Sequence, residues 1–160
     1  MKKILLALLT IININCQSQK IDRYNLGFEN QKDEKVLSEG WFKWGNYELM
    51  IDNFAHSGKK SGKITSDSIG SSFGSIAYKI PANYKGSTIK LEGFMKIKNV
   101  ENGFSGLLLR VDGNGSSLAF DNMQNQNISG TNDWKKYSIT FNYPDNAEYI
   151  VVAGILSGKG

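Results

Sequence analysis

Cysteine, histidine and proline are nearly missing from this chain: 160 residues hold one cysteine, one histidine and two prolines. A lone Cys16 excludes an intrachain disulfide. A lone His56, with no second histidine and no second cysteine, excludes a zinc centre built from those ligands. As a general base His56 would need a nucleophile and an orienting partner, and its setting, His56-Ser57-Gly58-Lys59, reads as a tight loop. No P-loop and no dinucleotide fingerprint occurs. No apolar run reaches the ~20 residues that span a bilayer, and no window carries a helical stripe of useful length. A large charge excess is also missing. The formal charge is +4, and Lys2 and Lys3 supply two of those charges, leaving +2 without them. That weak excess does not argue for nucleic acid, and basic residues do not interleave with aromatics as a single-strand platform requires. Lys59, Lys60 and Lys63, the densest basic cluster, lie among glycines and serines and read as a solvated turn.

What is present begins with a leader. Met1-Lys2-Lys3 is basic, Ile4 to Ile12 is apolar except for Thr10, and Asn13 to Gln19 is polar around Cys16. This is the pattern of an exported signal peptide over residues 1–16. Cys16 stands where a bacterial lipoprotein carries its lipidated cysteine, although Asn15 replaces the usual small residue before it. Two outcomes stay open: acylation of Cys16, which makes a lipid anchor the only membrane contact, or cleavage after it to release a chain starting at Gln17. Residues 17–23 then form a short linker, and 24–160 have the length of one domain able to bury a core.

Alternating apolar runs separated by turn residues predict an all-β, antiparallel β-sandwich. Tyr47, Leu49 and Ile51 alternate with Glu48, Met50 and Asp52. Ile89, Leu91, Gly93, Met95 and Ile97 alternate with polar partners and Phe94. Leu107, Leu109 and Val111 share one face of Phe104 to Asp112, with Gly106, Leu108, Arg110 and Asp112 on the other. Tyr137, Ile139 and Phe141 oppose Trp134, Lys136, Ser138 and Thr140. A period of two puts such sets on opposite faces of a strand. Asp112-Gly113-Asn114-Gly115 predicts a hairpin turn, with Leu118 to Asp121 returning. Tyr149 to Leu156 is apolar on both faces and predicts a central, covered strand. The Gly-rich end, Ser157 to Gly160, is abrupt after a buried strand and suggests a sandwich lacking its last strand.

Three chemical motifs weigh little. Gly70-Ser71-Ser72-Phe73-Gly74 matches a nucleophile elbow, but a strand-like run, Phe73 to Ile80, follows where a helix is needed, and His56 precedes the serine. Asp112 to Ser116 resembles the start of a calcium loop, with Ser117 and Met123 where a glycine and an acid belong. Asp112 and Asp121 are candidates to face each other across the hairpin as a carboxylate pair, and exposed strand-end residues are the plainer reading.

A binding face fits the residues better than a catalytic one. Arg110, Asp112, Asp121, Asn122, Gln124 and Trp134 are the candidate ligand-binding residues: a flat indole stacks on a sugar ring, and the polar groups hold hydroxyls. Trp41 and Trp44, read as lying in a loop with Phe42 and Tyr47, form a second candidate platform.

The order Asn25-Leu26-Gly27-Phe28-Glu29, Gly40-Trp41, His56-Ser57-Gly58-Lys59-Lys60-Ser61 resembles the opening of carbohydrate-binding-module jelly rolls with a galactose-binding-like fold. Gly106 to Gly113, Leu118 to Gln124, Gly130-Thr131, Asp133-Trp134, Tyr137 and Gly154 to Gly158 look like an accessory β-domain of exported Bacteroidetes proteins. That domain stands beside tail-specific serine peptidase or erythromycin-esterase-like catalytic domains. The resemblance implies a jelly roll over 24–160 and a non-catalytic role. It also implies a structural calcium ion held by Glu29 and by backbone oxygens of Ser57 and Lys60, with a further acid from a strand following Gly160. Three readings follow: an exported binding module with a glycan as ligand; the accessory domain of an envelope hydrolase whose catalytic domain lies C-terminal to it; or a structural lipoprotein. The placement expected is periplasmic, outer-membrane or secreted.

Overall fold

The computed structural model describes residues 24–33, 37–67 and 72–160. The leader, Cys16 and the linker 17–23 lie outside the described residues, as do Gly70 and Ser71 of the elbow-like motif. Among the described residues there are nine strands: β1 (Trp41–Gly45), β2 (Glu48–Asp52), β3 (Ser61–Thr65), β4 (Phe73–Pro81), β5 (Thr88–Val100), β6 (Ser105–Gly113), β7 (Ser116–Asp121), β8 (Gly130–Asn142) and β9 (Tyr149–Ser157). A 3-10 turn, Gln124–Gln126, is the one helical element described. No described helix is long and apolar enough to cross a membrane.

All pairings are antiparallel. One layer is a five-stranded sheet in the order β1-β4-β9-β6-β7. The facing layer consists of two separate pairs, β2-β3 and β5-β8. The first pair packs over β4, and the second over β6. The fold is thus an all-β antiparallel sandwich. β9 lies at the centre of the larger sheet, as its two-sided apolar sequence requires.

The alternation reads directly as layers. Leu107, Leu109 and Val111 of β6, Ile150 and Val152 of β9, Ile80 of β4 and Ile139 of β8 form one buried cluster, with Ile89, Leu91 and Phe141 packed against it. A smaller cluster, Tyr47, Ile97, Val100 and Leu156, closes one end. The hairpin turn forms where expected. Asn114 and Gly115 take φ of 53° and 71°, and Gly113 pairs with Ser116. Positive φ at both central residues marks the turn whose twist suits a two-residue hairpin.

Two strands escaped the sequence reading. The Trp41 to Gly45 segment, expected as a loop, is strand β1, paired to β4 with Trp44 opposite Ser75. The basic cluster is not one solvated turn, because Lys63 lies in β3 opposite Met50 and 3.5 Å from Asp52. Trp41 is a packing residue. Its ring stacks on Phe28 at 4.1 Å, and its indole N–H donates to the Asn25 carbonyl at 2.6 Å. Phe28 reaches that position with φ of 64°. Its carbonyl accepts the Ser38 hydroxyl at 2.5 Å. The buried Asn25 amide ties the same loop by donating to the carbonyls of Asn30 and Glu39. The Asn-Leu-Gly-Phe motif is therefore a clasp that fixes the chain before β1.

Candidate functional site

The outward face of the five-stranded sheet is apolar at its centre. Ala77 of β4, Leu108 of β6 and Val151, Ala153 and Ile155 of β9 are all buried there, with Trp44 and Phe104 packed across them. Ser75 adds a fully buried polar residue whose hydroxyl donates to the Gly154 carbonyl at 2.9 Å. Small side chains at Ser75, Ala77 and Ala153 keep this floor low, so larger neighbours fold over it.

Arg110 and Asp112 continue the same face of β6. The Arg110 Nε–H donates to Asp112 Oδ1 at 2.6 Å, and the guanidinium carbon lies 5.6 Å from the Trp44 ring centre. Both side chains are half-buried, at 30% and 23% exposure, so this pair is held in place rather than swinging in water. A charge-assisted bond of this kind is stronger than a neutral one. Three exposed aromatics stand on the same face by register: Phe42 opposite Ala77, Phe120 opposite Arg110 and Tyr149 opposite Asp112. Lys79 Nζ sits 3.6 Å from the Tyr149 ring centre. Exposed aromatics gathered around an apolar floor mark an interaction surface more often than chance scatter does. Chemically the face offers guanidinium donors, a carboxylate acceptor and flat rings.

The other expected residues lie elsewhere. Asp112 pairs with Ser117 and Asp121 with Leu109, so the two acids do not face each other across the hairpin. The two-residue turn closes too near Asp112 for that. Asp121 Oδ1 accepts the Met123 N–H at 2.8 Å, and Asn122 Oδ1 accepts the Gln124 N–H at 3.1 Å. These are side-chain caps of a turn. They hold Met123, at φ 62° and 1% exposure, inside the core, and Gln124 is exposed at the start of the 3-10 turn.

Trp134 belongs to the opposite layer. It stacks near Phe54 at 6.2 Å and meets His56 edge-on at 6.0 Å, while His56 stacks on Phe94 at 3.6 Å. This cluster fastens the 53–60 loop to the β5-β8 pair. The Trp134 Nε1 is buried without a hydrogen-bond partner. Phe54, 58% exposed, is the outermost ring, and Lys96 Nζ lies 4.9 Å from its centre. Trp134 thus packs beneath other rings, and a glycan held by Arg110 cannot also stack on it.

Glu29 does meet the Ser57 to Lys60 loop. Its Oε1 accepts the N–H groups of Lys59 at 2.8 Å and Lys60 at 3.2 Å. A Cβ on Gly58, which has φ of 73°, would come within 2.3 Å of that oxygen. Calcium takes 6–8 oxygen ligands. Here the described residues supply one carboxylate whose oxygen faces two N–H donors, and none of them forms a group of three or more His, Cys, Asp or Glu side chains. Among the described side chains that is too few oxygen donors for a calcium site. The carboxylate serves instead as an acceptor that holds the loop.

Two surface carboxylates are held below their ordinary pKa. Hydrogen bonds from Lys90 and Lys136, at 2.8 and 3.0 Å, stabilise ionised Glu92. Lys96, at 2.9 Å, and then the Trp134 backbone N–H do the same for Asp133. A depressed carboxylate contributes stability above its unfolded pKa and loses it as pH falls through the folded value. Carboxyl NMR of Lys136→Ala is expected to show the Glu92 midpoint moving up toward the ordinary range while Asp133 stays low. An unmoved Glu92 would show that this cation does not hold it.

No protein-family model matches the chain. Over 145 residues it is 33% identical to the uncharacterized HTH-type transcriptional regulator YbfP of Bacillus subtilis (strain 168), an overlap of 83% of this chain and 49% of the regulator. The chain therefore spans about half the length of that curated relative. Among solved structures, the enzymatically active domain of tailspike protein 4 of bacteriophage CBA120 matches with a TM-score of 0.58 at 14% identity, over 75% of this chain and 17% of that one. At that identity the likeness is one of fold.

Proposed function

We propose that this chain is a non-catalytic, exported binding module that holds a glycan on the outward face of its five-stranded sheet. The observation that carries this reading is the half-buried Arg110–Asp112 pair, set beside Trp44 and flanked by exposed Phe42, Phe120 and Tyr149. Sugar rings are bound by flat aromatic faces together with a few directional polar groups, and this face offers both. The likeness to carbohydrate-binding jelly rolls in the Asn25 to Glu29 and His56 to Ser61 segments supports the same reading.

The relation to a regulator is compatible with it. A helix-turn-helix is built from two helices. The described residues of this chain form no α-helix. On this reading the shared half of the regulator is its other part, and a recognition domain that recurs in different proteins suits a portable binding module.

Affinity electrophoresis through gels containing soluble polysaccharides tests the proposal. Retardation by at least one polysaccharide is expected. Arg110→Ala should weaken it tenfold or more, since a hydrogen bond to a charged group contributes about 1.5–3 kcal/mol. Trp44→Ala should weaken it as well, whereas Trp134→Ala should leave it in place. Unretarded migration in every gel by the folded protein would sink the reading.

A further inference from the structure

The outward face of the five-stranded sheet carries an uneven set of charges. By register its strands turn three charged side chains outward among the described residues: Lys79 of β4, and Arg110 and Asp112 of β6. Lys79 and Arg110 stand in one row, each opposite Val151 of β9. Their Cα atoms are therefore two strands apart, roughly 10 Å at ~4.8 Å per strand. Asp112 and Tyr149 face each other in the next row. Both cationic heads turn toward that row. The Lys79 Nζ lies 3.6 Å from the Tyr149 ring centre, and the Arg110 Nε–H donates to Asp112 Oδ1 at 2.6 Å.

The two cations differ in their partners. Arg110 has Asp112. Lys79 is exposed, its ammonium rests on a ring, and among the described residues no carboxylate pairs with it. Glu148, next before Tyr149, is engaged elsewhere, since its Oε1 accepts the Asn114 N–H at 3.1 Å. Two positive groups and one negative leave this part of the face with a surplus of one positive charge. On Arg110 the Nε–H is taken by Asp112, and the Nη groups have no acceptor among the described residues.

We propose that the glycan held on this face is acidic, and that a carboxylate of one of its uronic acid residues sits over Val151 between Lys79 and Arg110. The proposal rests on the glycan reading and specifies its ligand class. A neutral sugar laid over this row would strip water from an ammonium and return no counter-charge, which is costly. A carboxylate supplies that charge. Its two oxygens also match the paired Nη–H donors of a guanidinium, which recognises a planar anion in a fixed geometry. Phe120, opposite Arg110, and Tyr149 stand beside that point as ring faces for the sugar itself.

Affinity electrophoresis with alginate and polygalacturonate, each against its carboxyl-reduced form, tests this. The reduced polymers keep the linkages and lose the charge. At least one uronate should bind tenfold or more tightly than its reduced form. Lys79→Ala should weaken binding to that uronate roughly tenfold. Lys98→Ala, which removes the same charge from an exposed position of β5 in the other layer, should not. Arg110-dependent retardation by neutral polysaccharides, with no preference for either uronate, would overturn the proposal and leave the glycan reading standing. Unretarded migration in neutral and acidic gels alike would sink both. Dextran sulfate binding as tightly as the uronate, with the same loss in Lys79→Ala, would show that the row reads charge and not a carboxylate, and would overturn the proposal as well.

Discussion

Leu109→Ala is expected to destabilise the domain by about 2–5 kcal/mol, the range for emptying a well-packed leucine site. Leu109 is 1% exposed. It sits mid-strand on β6, opposite Val152 on one side and Asp121 on the other, and packs with Val111, Ile139 and Ile150. Strands on both sides hold its backbone, so the cavity cannot collapse by a local shift. A domain's whole stability is about 5–15 kcal/mol, so the variant should lose a large share of it. Urea denaturation should show a lower midpoint with an unchanged slope. Phe120→Ala, by contrast, removes a ring that is 52% exposed, and should change stability by no more than about 0.5 kcal/mol. Equal losses in the two variants would mean that β6 does not face the core as described.

Gly103→Ala is the second large effect. A Cβ at this position would lie 2.2 Å from the Ser157 carbonyl oxygen, 2.5 Å from its carbon and 2.8 Å from the Gly158 nitrogen. All three are backbone atoms, so no rotamer change relieves the contact. The next residue, Phe104, exchanges backbone hydrogen bonds with Ser157 at 3.1 and 2.9 Å, and those bonds join the start of β6 to the end of β9. Pushing the chains apart therefore breaks the ladder between the central strand β9 and its neighbour β6 at that end. A cost of about 1–3 kcal/mol is expected, as for overpacked sites. Gly154→Ala meets only an ordinary contact at 3.8 Å and should be close to neutral. Thermal unfolding of the two alanine variants side by side checks the contrast.

The layers could be read in advance because period two is a property of the backbone. The apolar sets of β5, β6 and β8 sort themselves onto the core side, and the two-sided run of β9 marks the centre of the sheet. β1 was not legible: Trp41, Phe42 and Trp44 put aromatics on both faces, so no alternation shows. β3 was hidden by Ser61, Gly62 and Lys63, whose strand state comes from pairing with β2 rather than from propensity.

The candidate site was half legible for the same reason. Parity put Arg110, Asp112 and Trp134 each on the outward side of its own strand, which is where they lie. Parity says nothing about which layer a strand joins. β6 and β8 lie in opposite layers, so residues that look alike in sequence point away from each other. The sequence offers Asp121 and Asn122 as polar groups that hold hydroxyls. Their oxygens are spent on the turn that seats Met123. The neighbours of the Arg110–Asp112 pair that matter, Trp44 beside Arg110 and Tyr149 opposite Asp112, come from strands distant in sequence and brought near only through the sheet order.

One experiment bears most directly on the glycan face: backbone and side-chain NMR mapping with a polysaccharide fragment that retards the protein. The arrangement predicts shift changes at the Trp44 indole, the Arg110 guanidinium, Phe120 and Tyr149, with the Trp134 indole silent. Shift changes centred on Trp134, Phe54 and His56, with Arg110 unmoved, would contradict it.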